Sequence, residues 1–145
     1  MNRWLLDTNV ISEPARPKPD WRVRTFIDSQ PADNIFISDI TLAEIRFGIE
    51  SNQDDERRKA IALWLEKEVR PVFAGRALPV TEDIIVVWRT LVARGRRIRH
   101  TFTQPDLFLA ATALHHGLTI VTRDTSDFLL AGTRVFNPWT DPLPA

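Results

Sequence analysis

The 145-residue chain has no cysteine, which excludes disulfides, thiolate zinc sites and cysteine nucleophiles and suits a cytoplasmic protein. Its five glycines, Gly48, Gly75, Gly95, Gly117 and Gly132, lie too far apart to form a dinucleotide fingerprint or a phosphate-binding loop. No Gly-x-Ser-x-Gly elbow occurs, and three histidines leave little material for a catalytic triad. No apolar run approaches the roughly 18 residues that a membrane span needs, and Asp7 interrupts the first apolar stretch well below signal-peptide length. Net charge is also missing: 19 basic and 19 acidic residues cancel, an unpromising balance for a protein that coats nucleic acid.

The sequence does contain an ordinary globular composition, 43% hydrophobic and 26% charged. A single domain spanning residues 1–145 is expected, and a chain of this length buries roughly 70% of its unfolded surface. Charge is unevenly spread. Between Ile84 and Pro105 lie five arginines, Arg89, Arg94, Arg96, Arg97 and Arg99, with no acidic residue among them.

Hydrophobic periodicity predicts alternating strands and helices. Trp4-Leu5-Leu6 reads as a short buried strand ending at Asp7, and Ile35-Phe36-Ile37 as a second. Asp20 is placed to cap a helix carrying Val23, Phe26 and Ile27, and a further helix carries Leu42, Ile45 and Ile49. An amphipathic helix is expected from Asp54 to Glu68, and Thr81 is placed to cap another bearing Ile84, Val87, Trp88, Leu91 and Val92. Pro105 suits the first turn of a helix that stops at Gly117. Leu118 to Val121 and Arg134 to Phe136 complete the predicted strands, with a short helix from Asp127 to Leu130 between them. Such alternation implies an α/β sandwich around a central parallel sheet, with ligands bound beyond the carboxyl ends of the strands.

Four acids are placed to reach that rim: Asp7, Glu44, Asp106 and Asp124. Taken singly, each has a structural explanation. Asp7 and Asp124 fit turns, Asp124 also fits a helix cap, and Thr41-x-x-Glu44 matches a capping box. Asp106 suits the positive end of a helix dipole. Taken together, clustered carboxylates repel one another and raise their pKa values, an arrangement that a hard oxygen-seeking cation such as Mg²⁺ or Mn²⁺ relieves. A site of that kind supports metal-assisted phosphodiester hydrolysis. Thr8, Asn9 and Thr122 are placed either to orient these acids or simply to close turns. The run Arg94-Gly95-Arg96-Arg97-Ile98-Arg99 reads as a connector between helices, either a solvated surface or a set of phosphate contacts. His115 and His116, adjacent on one helix, make a poor metal pair.

Several longer stretches carry a family resemblance. Leu5-Leu6-Asp7-Thr8-Asn9-Val10, Ser38-Asp39-Ile40-Thr41-Leu42-Ala43-Glu44-Ile45 with Gly48, and Pro105-Asp106-Leu107-Phe108-Leu109-Ala110-Ala111-Thr112-Ala113 are similar to segments of PIN domains in their expected order. So are Leu118 to Asp124 and Asp127-Phe128, while the tail Asn137-Pro138-Trp139 resembles the FitB-like branch of VapC toxins. Phe108 replaces a usual aliphatic residue. The resemblance implies a PIN-like α/β/α sandwich and a Mg²⁺-dependent endoribonuclease that is homodimeric. It also implies inhibition by a cognate VapB-like antitoxin, through which alone operator DNA is contacted. Asp7, Glu44 and Asp106 correspond to the family acids, with Asp7 and Asp106 as metal ligands. Related sequences often carry Asn at the position of Asp124, so Asp124 or Asp127 supplies the fourth acid. Because their run leads towards Asp106, and an acidic pocket needs nearby cations to hold a polyanion, Arg96, Arg97 and Arg99 are RNA-contact candidates. A DNA nuclease on the same fold is the competing enzymatic reading. The non-enzymatic alternative is a silent dimer forming the body of a DNA-binding repressor complex.

Overall fold

The computed structural model describes residues 2–144. Five short strands form one sheet in the order β3-β2-β1-β4-β5, with every neighbouring pair parallel. They are β1 (Trp4–Leu6), β2 (Ile35–Ser38), β3 (Ala77–Leu78), β4 (Thr119–Val121) and β5 (Val135–Phe136). The helices are α1 (Thr8–Ser12), α2 (Trp21–Ser29), α3 (Asp39–Ser51), α4 (Asp55–Trp64), α5 (Arg70–Val72), α6 (Glu82–Arg97), α7 (Gln104–His116) and α8 (Ser126–Leu130).

Strand alternation divides the core between the two faces of the sheet. Trp4, Leu6, Ile37 and Val121 pack with Val23, Phe26, Ile45 and Leu65 on one face. Leu5 and Ile120 point the other way, into Ile84, Leu91, Leu107, Ala110 and Phe128. This is the expected α/β/α sandwich. The small residues Ala110, Ala111, Thr112 and Ala113 are all buried in α7, so that helix fits closely into its layer. Gly117 ends it at φ 67° and donates its N–H to the Ala113 carbonyl, a conformation that a side chain would strain.

Several local expectations need correction. The predicted helix over Asp54–Glu68 instead becomes α4 followed by a π-helical turn, Leu65–Val69. Pro71 offers a reason. It lacks the N–H that would bond the Lys67 carbonyl and would crowd it, so the backbone widens just before the proline. The turn buries both Leu65 and Val69. Thr8 and Asn9 begin a helix rather than merely closing a turn. Thr41 does not open a capping box: Ser38 caps α3 by accepting the Ile40 N–H at 3.0 Å, which puts Thr41 inside the first turn. Arg94, Arg96 and Arg97 occupy the last turn of α6 rather than a connector. Asp124 does not cap α8, because Thr125 is the residue at that position.

Candidate active site at the sheet switch point

The strand order reverses direction at β1 and β4, opening a crevice beyond their carboxyl ends where open α/β sheets bind ligands. Asp7 leaves β1 there and donates its N–H to the Val121 carbonyl of β4 at 3.0 Å. Its carboxylate is held at both oxygens: Oδ1 accepts the Thr8 N–H at 2.8 Å, and Oδ2 accepts the Thr122 hydroxyl at 2.9 Å. The Thr122 oxygen also accepts the Asp124 N–H at 3.0 Å and the Asn9 side-chain amide at 3.4 Å. Asn9 reaches Asp124 Oδ2 at 3.5 Å and accepts the Arg123 N–H at 3.4 Å. Thr122 is fully buried, so this network fixes the end of β1 against the end of β4.

A pocket of about 340 Å³ opens beside Asp7, with Glu44 from α3 and Asp106 from the first turn of α7 in its wall. Burial pushes the Asp7 carboxyl above the usual range. The hydrogen bonds from Thr122 and Thr8 oppose that rise, while the charges of Asp106 and Asp124 reinforce it. Burial also raises Asp106, against the pull of the nearby Thr103 hydroxyl and with added repulsion from Asp127 and Asp124. Asp7 thus feels the charges of Asp106 and Asp124, and Asp106 those of Asp127 and Asp124. Glu44 reaches the same pocket but is solvent-exposed, so the four acids do not form one desolvated cluster. Asp127 turns towards His100, whose Nε2 lies 3.0 Å from its carboxylate.

Among the described residues, no three His, Asp or Glu side chains come together in a group that could hold a metal ion. A hard divalent cation needs fewer protein ligands than that, since it can bind through one or two carboxylates and keep several waters. Asp7 and Asp106 offer hard oxygens in the pocket wall, where Thr41 also lies, its hydroxyl buried and without a hydrogen-bond partner among the described residues.

Sequence reasoning placed Thr41 only in a capping box and missed the support given by the tail. Asn137 Nδ2 donates to the Arg123 carbonyl at 3.4 Å, and the Arg123 guanidinium lies 4.6 Å from the Trp139 ring centre. These contacts brace the loop that carries Asp124; the Asn-Pro-Trp motif was their only sequence signal. His115 and His116 pack ring to ring at 4.8 Å, at the opposite end of α7 from Asp106. Burial, together with His115 and Arg3, lowers the His116 pKa.

The arginines lie outside this pocket. Arg96, Arg97 and Arg99 are exposed, and Arg99 adopts φ 56°, in the left-handed region. The His100 N–H returns to the Gly95 carbonyl at 2.9 Å, closing the end of α6. Gly95 is required by this reversal, because a Cβ there would meet the His100 carbonyl at 2.9 Å and the Phe102 ring at 3.1 Å. Among the described residues, no ion pair or side-chain hydrogen bond engages Arg96, Arg97 or Arg99, which leaves them available to phosphates. If these arginines hold an RNA backbone, changing all three to Ser weakens that binding and lowers its log–log salt slope by roughly 2–3. The maximal rate should change less. Binding measured from 50 to 200 mM salt checks this, and an unchanged slope would assign the segment to plain solvated surface.

Comparisons with known proteins agree with this architecture. A family model described as "PIN domain" matches residues 4–131, and the chain belongs to the PIN-domain family. Within that family it falls in the branch of VapC and FitB toxins. Toxin FitB of Neisseria gonorrhoeae is 39% identical over 137 residues, covering 94% of this chain and 99% of that protein. VapC ribonuclease Y4jK of Sinorhizobium fredii is 41% identical over 135 residues, covering 93% and 96%. A chain in the crystal structure of FitAcB from Neisseria gonorrhoeae superposes with a TM-score of 0.86 at 39% identity, covering 94% of this chain and 98% of that one. A chain in the structure of FitAB bound to an IR36 DNA fragment gives 0.87 at 37% identity, covering 96% and 97%.

Proposed function

We propose that this chain is the toxin of a type II toxin–antitoxin pair and acts as a divalent-metal-dependent endoribonuclease. The observation that carries the reading is that Asp7, Glu44 and Asp106 line one open pocket at the sheet's switch point, with Asp124 tied to the same frame through Asn9 and Thr122. Mg²⁺ or Mn²⁺ would be held chiefly by Asp7 and Asp106, with Glu44 and Asp124 at the rim; when bound it neutralises phosphodiester charge and makes water more acidic. Thr122 and the Thr8 N–H hold the Asp7 carboxylate in a fixed orientation. Asn9 ties Asp124 to the same frame, so its carboxylate is carried by β4's end rather than by a free loop. Asp127 contributes charge near Asp106 while its own oxygen faces His100. Arg96, Arg97 and Arg99 would hold the RNA backbone and leave the chemistry to the acids.

An antitoxin partner is part of this reading, supported by the FitAcB and FitAB assemblies named for its relatives. A groove of about 1140 Å³ lined by Ile61, Trp64 and Arg16 adjoins the acidic pocket, with Thr8 and Ile45 shared by both. A VapB-like segment laid in the groove could place a guanidinium among Asp7, Glu44 and Asp106, supplying the charge and hydrogen bonds of the displaced cation. Operator DNA would be contacted through that partner, and the toxin would act as a cytoplasmic homodimer.

The test is cleavage of labelled tRNA, rRNA and mRNA pools, and of matched DNA, with and without Mg²⁺ and with and without the co-expressed product of the adjacent small gene. RNA cut only with the metal and without the partner is the expected result. DNA cut in preference to RNA would establish the competing nuclease, and no cleavage by the free chain would favour the silent repressor body. An adjacent gene that neither binds nor protects would overturn the toxin–antitoxin reading.

A further inference from the structure

Helix α6 ends in a Schellman-type reversal. The His100 N–H bonds the Gly95 carbonyl at 2.9 Å, and the Arg99 N–H bonds the Arg96 carbonyl at 3.2 Å. The residue just past such a helix end is left-handed and favours glycine, which has no Cβ to clash. Arg99 holds that position at φ 56°, alone among the described non-glycine residues in having a positive φ. Its side chain is exposed and, among the described residues, makes no ion pair or side-chain hydrogen bond. The arginine therefore strains the fold without contributing a polar contact to it.

The reversal is nevertheless fixed in place. The His100 ring stands edge-on to buried Phe102, with ring centres 4.6 Å apart, and its Nε2 lies 3.0 Å from the Asp127 carboxylate, which accepts the bond. Asp127 lies in the first turn of α8, and its charge acts on Asp106. Past Phe102 the chain reaches Thr103, whose hydroxyl bonds Asp106 at the start of α7. The bridge thus ties the end of α6 and the start of α8 to the segment that carries a pocket acid.

We propose that His100 and Asp127 are positioning residues of this site, their bridge setting the reversal so that the Arg99 guanidinium meets a backbone phosphate of RNA entering the acidic pocket. The inference rests on the ribonuclease reading above. A guanidinium on a loose connector loses conformational freedom when it binds, whereas one on a pre-set reversal loses less, so more of its attraction appears as affinity. A cation held near carboxylates also offsets their repulsion of a polyanion. In this role Asp127 accepts a hydrogen bond from His100 rather than binding the cation, which leaves Asp124, joined to Thr122 and Asn9, as the acid of the rim.

The test combines binding of labelled tRNA to the full chain in EDTA, read from about 50 to 200 mM salt, with steady-state cleavage in Mg²⁺ and urea unfolding. Arg99→Gly should be more stable than wild type, since glycine suits the left-handed position. Yet it should bind tRNA roughly three- to tenfold more weakly, the usual worth of one such contact, with a salt slope lower by about 1. His100→Ala and Asp127→Ala should lose a similar factor and raise KM more than they lower kcat. Neither should weaken binding further once Arg99 is replaced, because both act through it. Asp127→Asn keeps an acceptor oxygen for His100 and should restore binding. Arg99→Gly that binds tRNA like wild type would overturn the proposal. Equal losses from His100→Ala with and without Arg99→Gly would also overturn it and make the bridge structural. Asp127→Asn that loses the Mg²⁺ stabilisation of wild type would make Asp127 a ligand of the cation instead. Wild type that neither binds nor cleaves tRNA, rRNA or mRNA would overturn the ribonuclease reading, and the positioning role with it.

Discussion

Asp7→Asn and Asp106→Asn are each expected to leave a folded chain that no longer cleaves RNA in Mg²⁺. Both substitutions preserve side-chain volume and one carbonyl acceptor. At Asp7 that acceptor can still receive the Thr8 N–H, now 2.8 Å away, so the start of α1 should survive. The negative charge is what disappears. A cation that uses few protein oxygens loses a large share of its binding when one of them is neutralised. Position and water activation then fail together. Removing a group that merely orients a metal ligand typically costs about 10–100-fold, and loss of the ligand should cost more than that. Steady-state cleavage by the purified variants, with circular dichroism to verify folding, measures the effect. Asp28→Asn, at an exposed acid paired only with Arg24, provides the control and should retain wild-type activity. Full activity in either pocket variant, or wild-type activity that survives excess EDTA, would eliminate the metal mechanism.

Much of the architecture was legible because strong local signals agreed with the packing. Asp20, Thr81 and Gly117 hold the helix-terminal positions expected of them. Trp4 to Leu6 are buried on both sides, and Ile35 and Ile37 flank a half-buried Phe36, so their continuous apolar runs mark central parallel strands. The missed elements had weaker sequence signals. β3 has two residues, Ala77 and Leu78, too few to show any period, and depends on pairing with Ile37 and Ser38. The π turn conserves the apolar content of a helix while changing its pitch, so only Pro71 hinted at it. Thr41 matched a capping box because Glu44 follows it by three residues, but Ser38, three residues earlier, is an equally good cap; the register of β2 makes the choice between them.

The acids were legible as residue types at strand and helix ends, but their unequal environments depend on tertiary structure. Asp124 and Asp127 are three residues apart and chemically alike. Asp124 joins Asn9 and Thr122, whereas Asp127 faces His100, a residue brought back by the tight reversal at the end of α6. Glu44 shares a pocket with Asp7 across the helix–strand boundary, yet remains exposed. No spacing rule distinguishes a charge lodged beside β1 from one at the open edge of α3.

That inequality sets the expected stability of the metal-free protein. Asp7 and Asp106 have carboxyls raised above the ordinary value of 3.8, burial being the first cause for both. An acid with a raised folded-state pKa retains protons that the unfolded chain has already released, so native stability falls as pH rises from about 3.8 through the folded value. Above that window the ionised acids impose their full penalty; below both values they impose none. Apo Asp106→Asn should therefore equal or exceed wild type in stability at neutral pH, and the difference should shrink as pH falls towards 4. A purely helix-terminal role for Asp106 predicts the opposite sign, a loss of about 0.3–1 kcal/mol on neutralisation. The same comparison applies to Asp7→Asn, where the retained acceptor limits any loss of the α1 cap. Mg²⁺ at a hundred times its dissociation constant should stabilise wild type by about 2.7 kcal/mol, and both variants by much less. Urea unfolding of all three proteins at neutral and mildly acidic pH, with and without Mg²⁺, reads the sign and the metal increment together. Variants less stable than wild type when apo, yet fully stabilised by Mg²⁺, would show that Asp7 and Asp106 serve the fold and that the cation binds elsewhere.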